Sequence, residues 1–347
     1  MEAIVTDESI ALELPDPGAL LGRALPSLAD IQAPVEGDLA GFRQHFREAM
    51  RTDVRLLDAV VRYVLRSKGK QLRPLLVLLS ARACGTVSES SYRAAALVEL
   101  LHTATLVHDD VVDEAETRRG LWSIRALWKN KVGVLLGDYL LSRGLLMALD
   151  AKDYQLLHTV SDAVRRMAEG ELLQLEKARR LDITEDTYFR IISDKTASLL
   201  SACTTCGAVS VEADEDVIAR MKVFGEELGL AFQIRDDLFD FGVTDVGKPL
   251  GIDLQEKKMT LPLIHSLSKA SRADRRRIMR IVRKKKKSSE DVRNVADWVN
   301  ETGGIEYARD RMCTHALEAL RCLSELPASE ARTALEDLVV FTILRKR

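Results

Sequence analysis

Aromatic residues make up only 5% of this 347-residue chain. No segment alternates apolar and polar residues over several positions, so the signals on which a strand-based fold would rest are missing. Nor does one sign of charge dominate: 51 Lys and Arg face 53 Asp and Glu, a formal net charge of −2. That excludes the strong basic excess expected of a nucleic-acid binder. No uninterrupted apolar run approaches the roughly 18 residues that suggest a membrane-spanning helix. The opening stretch MEAIVTDESIALELPDPG lacks the basic region and apolar core of a secretory signal, so a cytoplasmic location is expected. Cysteine is scarce as well. Of five, Cys203 and Cys206 form a single CxxC inside SLLSACTTCGAV, where they read as small buried thiols in helix packing rather than a redox or zinc site.

What is present is helical periodicity. From Leu39 onward, segments such as SYRAAALVELLHTATLVHDDVVDE and VGVLLGDYLLSRGLLMALD place apolar residues three and four apart. SKGKQLRP and TRRGLWSIR read as connecting loops. Four of the eight prolines fall within residues 1–35, and residues 1–37 are expected to be a flexible or loosely docked extension. With no Pro-rich linker further on, residues 38–347 are expected to form one all-α domain. RKKKKSSED at 283–291 is a dense basic run, read as a solvated loop or a contact with a membrane surface.

Two acidic clusters stand out. Asp109, Asp110 and Asp113 form DDVVD; Asp236, Asp237 and Asp240 form DDLFD. With 28 Asp in 347 positions, one chance DDxxD is expected on the order of 0.2 times, so the pair carries more weight than either copy. Both sit in apolar helical segments, where several carboxylates on one face repel and are costly to bury uncompensated. Apart from Arg235, no basic side chain lies within either cluster. A hard divalent cation supplies the missing compensation. Mg²⁺ takes one or two carboxylates and completes its shell with water and phosphate oxygens, so facing sets describe a diphosphate clamp rather than a Ca²⁺ cage. His102 lies two turns before Asp109, and Gln233 one turn before Asp236, on matching stripes.

A diphosphate also needs cations. Lys70 and Arg73 flank the start of a helix near Pro74, where unpaired N–H groups suit an anion. Arg118 and Arg119 follow the first cluster, Lys195 and Thr196 sit in DKTASLL, and Lys248 and Lys258 sit in GKPLGIDLQEKKMTLP. Arg offers a fork to phosphate oxygens, whereas Lys acts as a point charge.

The segments GKQLRP, ELLHTATLVHDDVVDEAETRRG, EGELLQL, DKTASLL, FQIRDDLFDFG and GKPLGIDLQEKKMTLP, taken in order, resemble the trans-isoprenyl diphosphate synthase (polyprenyl synthetase) family, its long-chain octaprenyl-type members above all. The resemblance covers roughly residues 38 to 347. It implies the isoprenoid synthase fold, a single domain of antiparallel helices around a central cavity, as a homodimer. It implies Mg²⁺, three ions per site, ligated by Asp109, Asp113 and Asp236, with Asp110, Asp237 and Asp240 supporting directly or through water. Lys70, Arg73, His102 and Arg119 would hold isopentenyl diphosphate; Arg118, Lys195, Gln233, Lys248 and Lys258 would hold an allylic diphosphate. Gln71 departs from the family's common Arg.

The implied chemistry is sequential condensation. Metal-assisted ionisation gives an allylic cation, the isopentenyl double bond attacks it, and a proton leaves to pyrophosphate. Thr196 and backbone carbonyls would stabilise the cation. In the family, bulky aromatics before the first Asp stop growth; Ala104 and Thr105 here imply a medium-to-long all-trans polyprenyl diphosphate, suited to a quinone side chain. The alternatives are a short-chain (farnesyl or geranylgeranyl) synthase, a regulatory subunit of a heteromeric synthase, a terpene cyclase, or a helical scaffold with incidental acids. The second DDxxD and the Lys70/Arg73 pair favour condensation.

Overall fold

The computed structural model of the chain describes residues 20–66, 71–114, 116–118, 121–242 and 251–345, with the side chains at 118 and 121 outside that description. The periodic segments become helices, in order α1 (Leu28–Gln32), a 3₁₀ turn (Ala33–Val35), α2 (Glu36–Ala49), α3 (Arg55–Arg66), α4 (Leu72–Cys84) and α5 (Glu89–Val112). A hairpin of β1 (Thr117–Arg118) and β2 (Leu121–Trp122) leads into α6 (Ile124–Asp150), α7 (Tyr154–Arg180) and α8 (Glu185–Ile192). A π-helical turn (Ser193–Ala197) joins α8 to α9 (Ser198–Val209), followed by α10 (Glu215–Asp240) and α11 (Ile252–Gln255). The chain closes with α12 (Leu261–Lys269), α13 (Arg272–Val282), α14 (Ser289–Glu301), α15 (Gly304–Ser324) and α16 (Glu330–Leu344). The all-α architecture expected of the sequence is what forms.

Local chemistry sets the helix starts. Ser88 and Ser91 close a capping box on α5, and the Ser123 hydroxyl accepts from the Ala126 N–H to begin α6, each satisfying donors that a first turn leaves open. Four helices, α4, α5, α9 and α10, make the centre: α4 packs on α5 and α9, and α9 packs on α10. Phe42, Leu75, Leu78, Leu97, Leu100 and Phe224 are completely buried there. Cys203 and Cys206 are buried in α9 as free thiols, the Cys203 thiol pushed up to about 12 by burial, which leaves them unreactive.

Three features differ from the sequence reading. Residues 20–37, expected to be loosely held, pack onto the body: Leu20 and Ile31 are fully buried, α1 lies against α16, and a boundary at residue 38 falls inside α2. Pro34 starts the 3₁₀ turn instead of breaking structure, a position its fixed φ tolerates. Residues 1–19 lie outside the described residues. The expected loop after the first acidic cluster contains a two-stranded hairpin pairing Thr117 with Trp122 and Arg118 with Leu121. Finally, α6 contains an 18-residue window of mean hydropathy 1.5, of which only 33% is buried. Asp138 and Arg143 interrupt it, so it escapes a search for unbroken apolar runs. Leu127, Val134, Leu135, Leu146 and Leu149 stand exposed along this helix.

Candidate functional site

The first acidic cluster ends α5. Its last residues leave Asp109 and Asp113 exposed and turn Asp110 inward to 4% exposure. The Asp113 N–H donates to the Asp109 carbonyl at 2.8 Å, keeping both carboxylates on the solvent-facing side. His102, two turns earlier, is buried, and the Thr105 hydroxyl donates to its carbonyl at 2.8 Å. Opposite, Gly133, Gly137 and Gly144 let α6 close on α5: a Cβ at Gly137 would fall 2.1 Å from His108 Nε2. Ala104, 2% exposed, lies on the same helical stripe as His108 and Leu97. Thr105, one turn before Asp109, lies instead on the carboxylate side.

In the second cluster each carboxylate has a different task. Asp237 is buried, with Oδ2 accepting from the Tyr188 hydroxyl at 2.6 Å and Oδ1 from Gln233 Nε2 at 2.9 Å. Burial pushes its carboxyl up to about 7, against the pull of those two donors. The Gln233 carbonyl in turn accepts from the Thr196 hydroxyl at 2.8 Å, so four side chains form one fixed chain. Asp240 accepts from the Ile252 N–H at 2.7 Å and anchors α11; burial, reinforced by the neighbouring Asp253 carboxylate, raises it to about 6. Asp236 is half-buried and meets Arg345 Nη2 at 2.6 Å. That guanidinium lies 4.1 Å over the Phe232 ring, and the Arg345 carbonyl accepts from Arg235 Nη2 at 2.9 Å.

The π-helical turn bearing Lys195 and Thr196 packs against α10, the helix of the second cluster. It is pressed between two glycines. A Cβ at Gly170 of α7 would lie 2.8 Å from the Lys195 nitrogen, and one at Gly229 of α10 would lie 2.4 Å from the Ala197 Cα. Arg166 ties the turn further, reaching Asp194 at 2.8 Å, Ser193 at 2.7 Å and Glu226 at 2.9 Å. Wide turns of this kind cluster at functional sites because they re-aim side chains. Here Lys195 Nζ meets Glu171 at 2.5 Å and Gln174 at 3.3 Å.

Two cavities flank α10. One is lined by Lys195, Thr196, Gln233, Asp237, Asp253 and Lys258 beside apolar Ile191, Ile192 and Met259. The other is walled by Leu72, Leu76, Leu200, Leu228, Phe232, Leu338 and Phe341, with Arg73 and Arg345 as its cations. The site thus holds two compartments, each with its own positive charge, on either side of the helix that carries the second cluster.

Lys195, Thr196, Gln233, Asp237 and Lys258 are therefore brought together at one cavity, Arg73 lines the other, and Asp236 and Asp240 sit on the helix between. Lys258 is held by Glu256 at 2.5 Å and Asp253 at 3.7 Å. Lys70, Arg119, Lys248 and the Arg118 side chain lie outside the described residues. Five residues had no role in the sequence reading: Glu171, Gln174, Tyr188, Asp253 and Arg345. Glu171 and Gln174 carried a signal, the EGELLQL segment three residues apart on one face. The others did not, since Tyr188 and Arg345 meet their partners 49 and 109 residues away.

The donor set fits a hard divalent cation. Every candidate ligand is a carboxylate oxygen, and Asp109, Asp113 and Asp236 are the three members not committed to burial or capping. Among the described residues no three acidic, His or Cys side chains converge into a metal cage by themselves.

Residues 54–299 match the family model described as Polyprenyl synthetase. The chain is 35% identical over 312 residues to octaprenyl diphosphate synthase of Escherichia coli (strain K12), covering 89% of this chain and 96% of that one. It is equally 35% identical over 294 residues to a short chain isoprenyl diphosphate synthase of Methanothermobacter thermautotrophicus, covering 82% and 89%. Among solved structures, a decaprenyl diphosphate synthase from Rhodobacter capsulatus superimposes with TM-score 0.87 at 35% identity over 92% of this chain and 100% of that one. A polyprenyl synthase from Caulobacter crescentus CB15, solved with calcium and isoprenyl diphosphate, gives 0.84 at 32% over 94% and 100%.

Proposed function

The chain belongs to the polyprenyl synthetase family, and from that premise we propose that it is a divalent-metal-dependent prenyltransferase. It condenses isopentenyl diphosphate repeatedly with an allylic diphosphate to give a medium-to-long all-trans polyprenyl diphosphate. The observation that carries this reading is the pair of cavities on either side of α10, one per diphosphate, each with its own cations.

Asp109, Asp113 and Asp236 hold the metal, in our reading three Mg²⁺ per site. When bound, the ions supply Lewis-acid stabilisation to the departing diphosphate. Asp110, Asp237 and Asp240 act behind them: Asp237 fixes Gln233, and Asp240 fixes α11 with Asp253 and the Lys258 segment. Lys195 and Lys258, with Arg118 and Lys248, hold the allylic diphosphate. The Thr196 proton is committed to Gln233, so its oxygen presents lone pairs to the cavity, where they stabilise an allylic cation. Arg73 and His102, with Lys70 and Arg119, hold isopentenyl diphosphate against the apolar wall of the second cavity. Its double bond forms the new carbon–carbon bond, and the proton lost passes to pyrophosphate. Positioning accounts for much of the rate.

The exposed apolar side chains of α6 support a homodimer, because a second copy would cover them. Sedimentation velocity of the purified protein tests that. The activity is tested by incubating the protein with Mg²⁺, labelled isopentenyl diphosphate and farnesyl diphosphate, then sizing the products. Failure to elongate any allylic starter would refute the reading, and products stopping at four isoprene units would favour the short-chain alternative.

A further inference from the structure

Residues 271–290 hold ten Arg or Lys against two acids, a formal +8; because the whole chain sums to −2, the remaining residues carry −10. The fold puts this charge on one surface. In α13 the apolar Ile278, Met279 and Val282 are buried, while Arg272, Arg275, Arg276, Arg277 and Arg280 are exposed, followed by exposed Arg283, Lys284, Lys285 and Lys286. Three of these nine have partners: Arg275 donates to the Leu267 carbonyl, Arg277 to Asp274 and Lys284 to Asp291. The side chains of Arg272, Arg276, Arg280, Arg283, Lys285 and Lys286 make no ion pair or hydrogen bond with the described residues. Like charges crowded this way repel one another, so the six unpartnered side chains gain nothing from one another within the fold.

The basic loop is also rigidly built. Lys287 turns inward to 7% exposure, burial holding its ammonium below the usual range, and its Nζ donates to the Lys284 carbonyl at 3.1 Å. Its backbone exchanges two hydrogen bonds with the Gln255 side chain, at 2.9 and 3.2 Å. Gln255 ends α11, whose Ile252 N–H is held by Asp240 of the second cluster. One helical turn therefore separates the basic loop from the acidic site.

We propose that the exposed face of α13 and the 283–286 loop is a docking surface for an anionic lipid bilayer. It rests on the reading above for one point only, that the product is a lipid diphosphate whose destination is a membrane. The patch exposes no apolar anchor, and the contact is electrostatic, at headgroup level and reversible. The occupant favoured is a bilayer rather than nucleic acid. Residues 271–290 contain no aromatic side chain to stack on bases.

The test is flotation of the full-length protein with vesicles of phosphatidylcholine alone or with 30% phosphatidylglycerol, without substrate. Binding to the anionic vesicles only, falling steeply between about 0.05 and 0.5 M salt, is expected from screening of surface charge. The variant R276Q/R280Q/K285Q/K286Q should bind about a hundredfold or more weaker, at several-fold per charge removed. It should keep full prenyltransfer in vesicle-free solution. Equal binding to both vesicle types, or none to either, overturns the proposal. So does a variant that binds undiminished, or one whose kcat/KM for isopentenyl diphosphate falls in solution, since the patch would then serve substrate capture. Tighter binding to duplex DNA than to anionic vesicles overturns it in favour of nucleic acid. The salt dependence of the unaltered protein stands even if the variant fails to fold. Absence of prenyltransfer would by contrast sink the enzymatic reading without touching vesicle binding.

Discussion

Replacing Gly229 with alanine separates helix propensity from packing, because the two predict opposite signs. Gly229 lies in the interior of α10, where an exposed Gly→Ala change would stabilise by about 1 kcal/mol. Here the new methyl would stand 2.4 Å from the Ala197 Cα and 2.6 Å from its Cβ. Reaching ordinary contact requires the π-helical turn and α10 to part by about 1 Å, an overpacking that costs roughly 1–3 kcal/mol. The net effect is a loss of stability, read as a lowered midpoint in urea. Catalysis suffers more, since Lys195 and Thr196 ride on that turn and a misplacement of about 1 Å costs on the order of 10²-fold. The assay is kcat/KM for isopentenyl diphosphate with saturating Mg²⁺, beside a Gly37→Ala control. At Gly37 a Cβ would meet nothing within 4 Å, so that variant should tolerate the change or gain slightly. A Gly229→Ala protein as stable and as active as the parent would refute the clamp.

Thr105→Phe should shorten the product, measured by sizing chains after exhaustive elongation; Ala104→Phe, on the stripe facing α6, should cost about 1–3 kcal/mol of stability as well. Tyr188→Phe leaves buried Asp237 without the donor to Oδ2; a loss of about 1–3 kcal/mol in denaturation is expected, with kcat reduced more than KM changes as Gln233 and Thr196 lose their register. Arg345→Met removes the guanidinium that meets Asp236. Thermal unfolding should then show a slightly less stable metal-free protein that gains more from Mg²⁺ with inorganic pyrophosphate; an unchanged gain would refute competition between Arg345 and the ions. His265 is stacked on Tyr307 at 3.7 Å, and burial, with Lys269 nearby, holds its imidazole below the ordinary value despite Glu185. Protonation therefore favours the unfolded chain, so stability from this group is present above about pH 6.5 and lost as pH falls through the lower folded value. His265→Phe should flatten the stability profile on that acidic side.

The helices and both DDxxD clusters were legible in the sequence because each is a local pattern, three- and four-residue spacing along one segment. The basic complement was legible only as a set of motifs, since charge on a loop says nothing of what it faces. The division of the six carboxylates, Asp109, Asp113 and Asp236 against Asp110, Asp237 and Asp240, followed from the family resemblance and not from their spacing. Asp109 and Asp110 are adjacent and identical in kind, yet one is exposed and one buried because a helix turns about 100° between them. Residues 20–37 pack despite Pro26 and Pro34, because proline content reports local backbone limits and not the burial that Leu20 and Ile31 gain against distant helices.

What the sequence by itself determined is therefore the fold class, the two acidic helices and the residue types available for a diphosphate. Tertiary structure decided which of those residues meet. Tyr188 reaches Asp237, Arg345 reaches Asp236, and two glycines from separate helices press Lys195 and Thr196 into place. The reason is range. Helical periodicity is set by neighbours within a turn, whereas the two carboxylate contacts join residues 49 and 109 positions apart, whose approach depends on how every intervening helix packs.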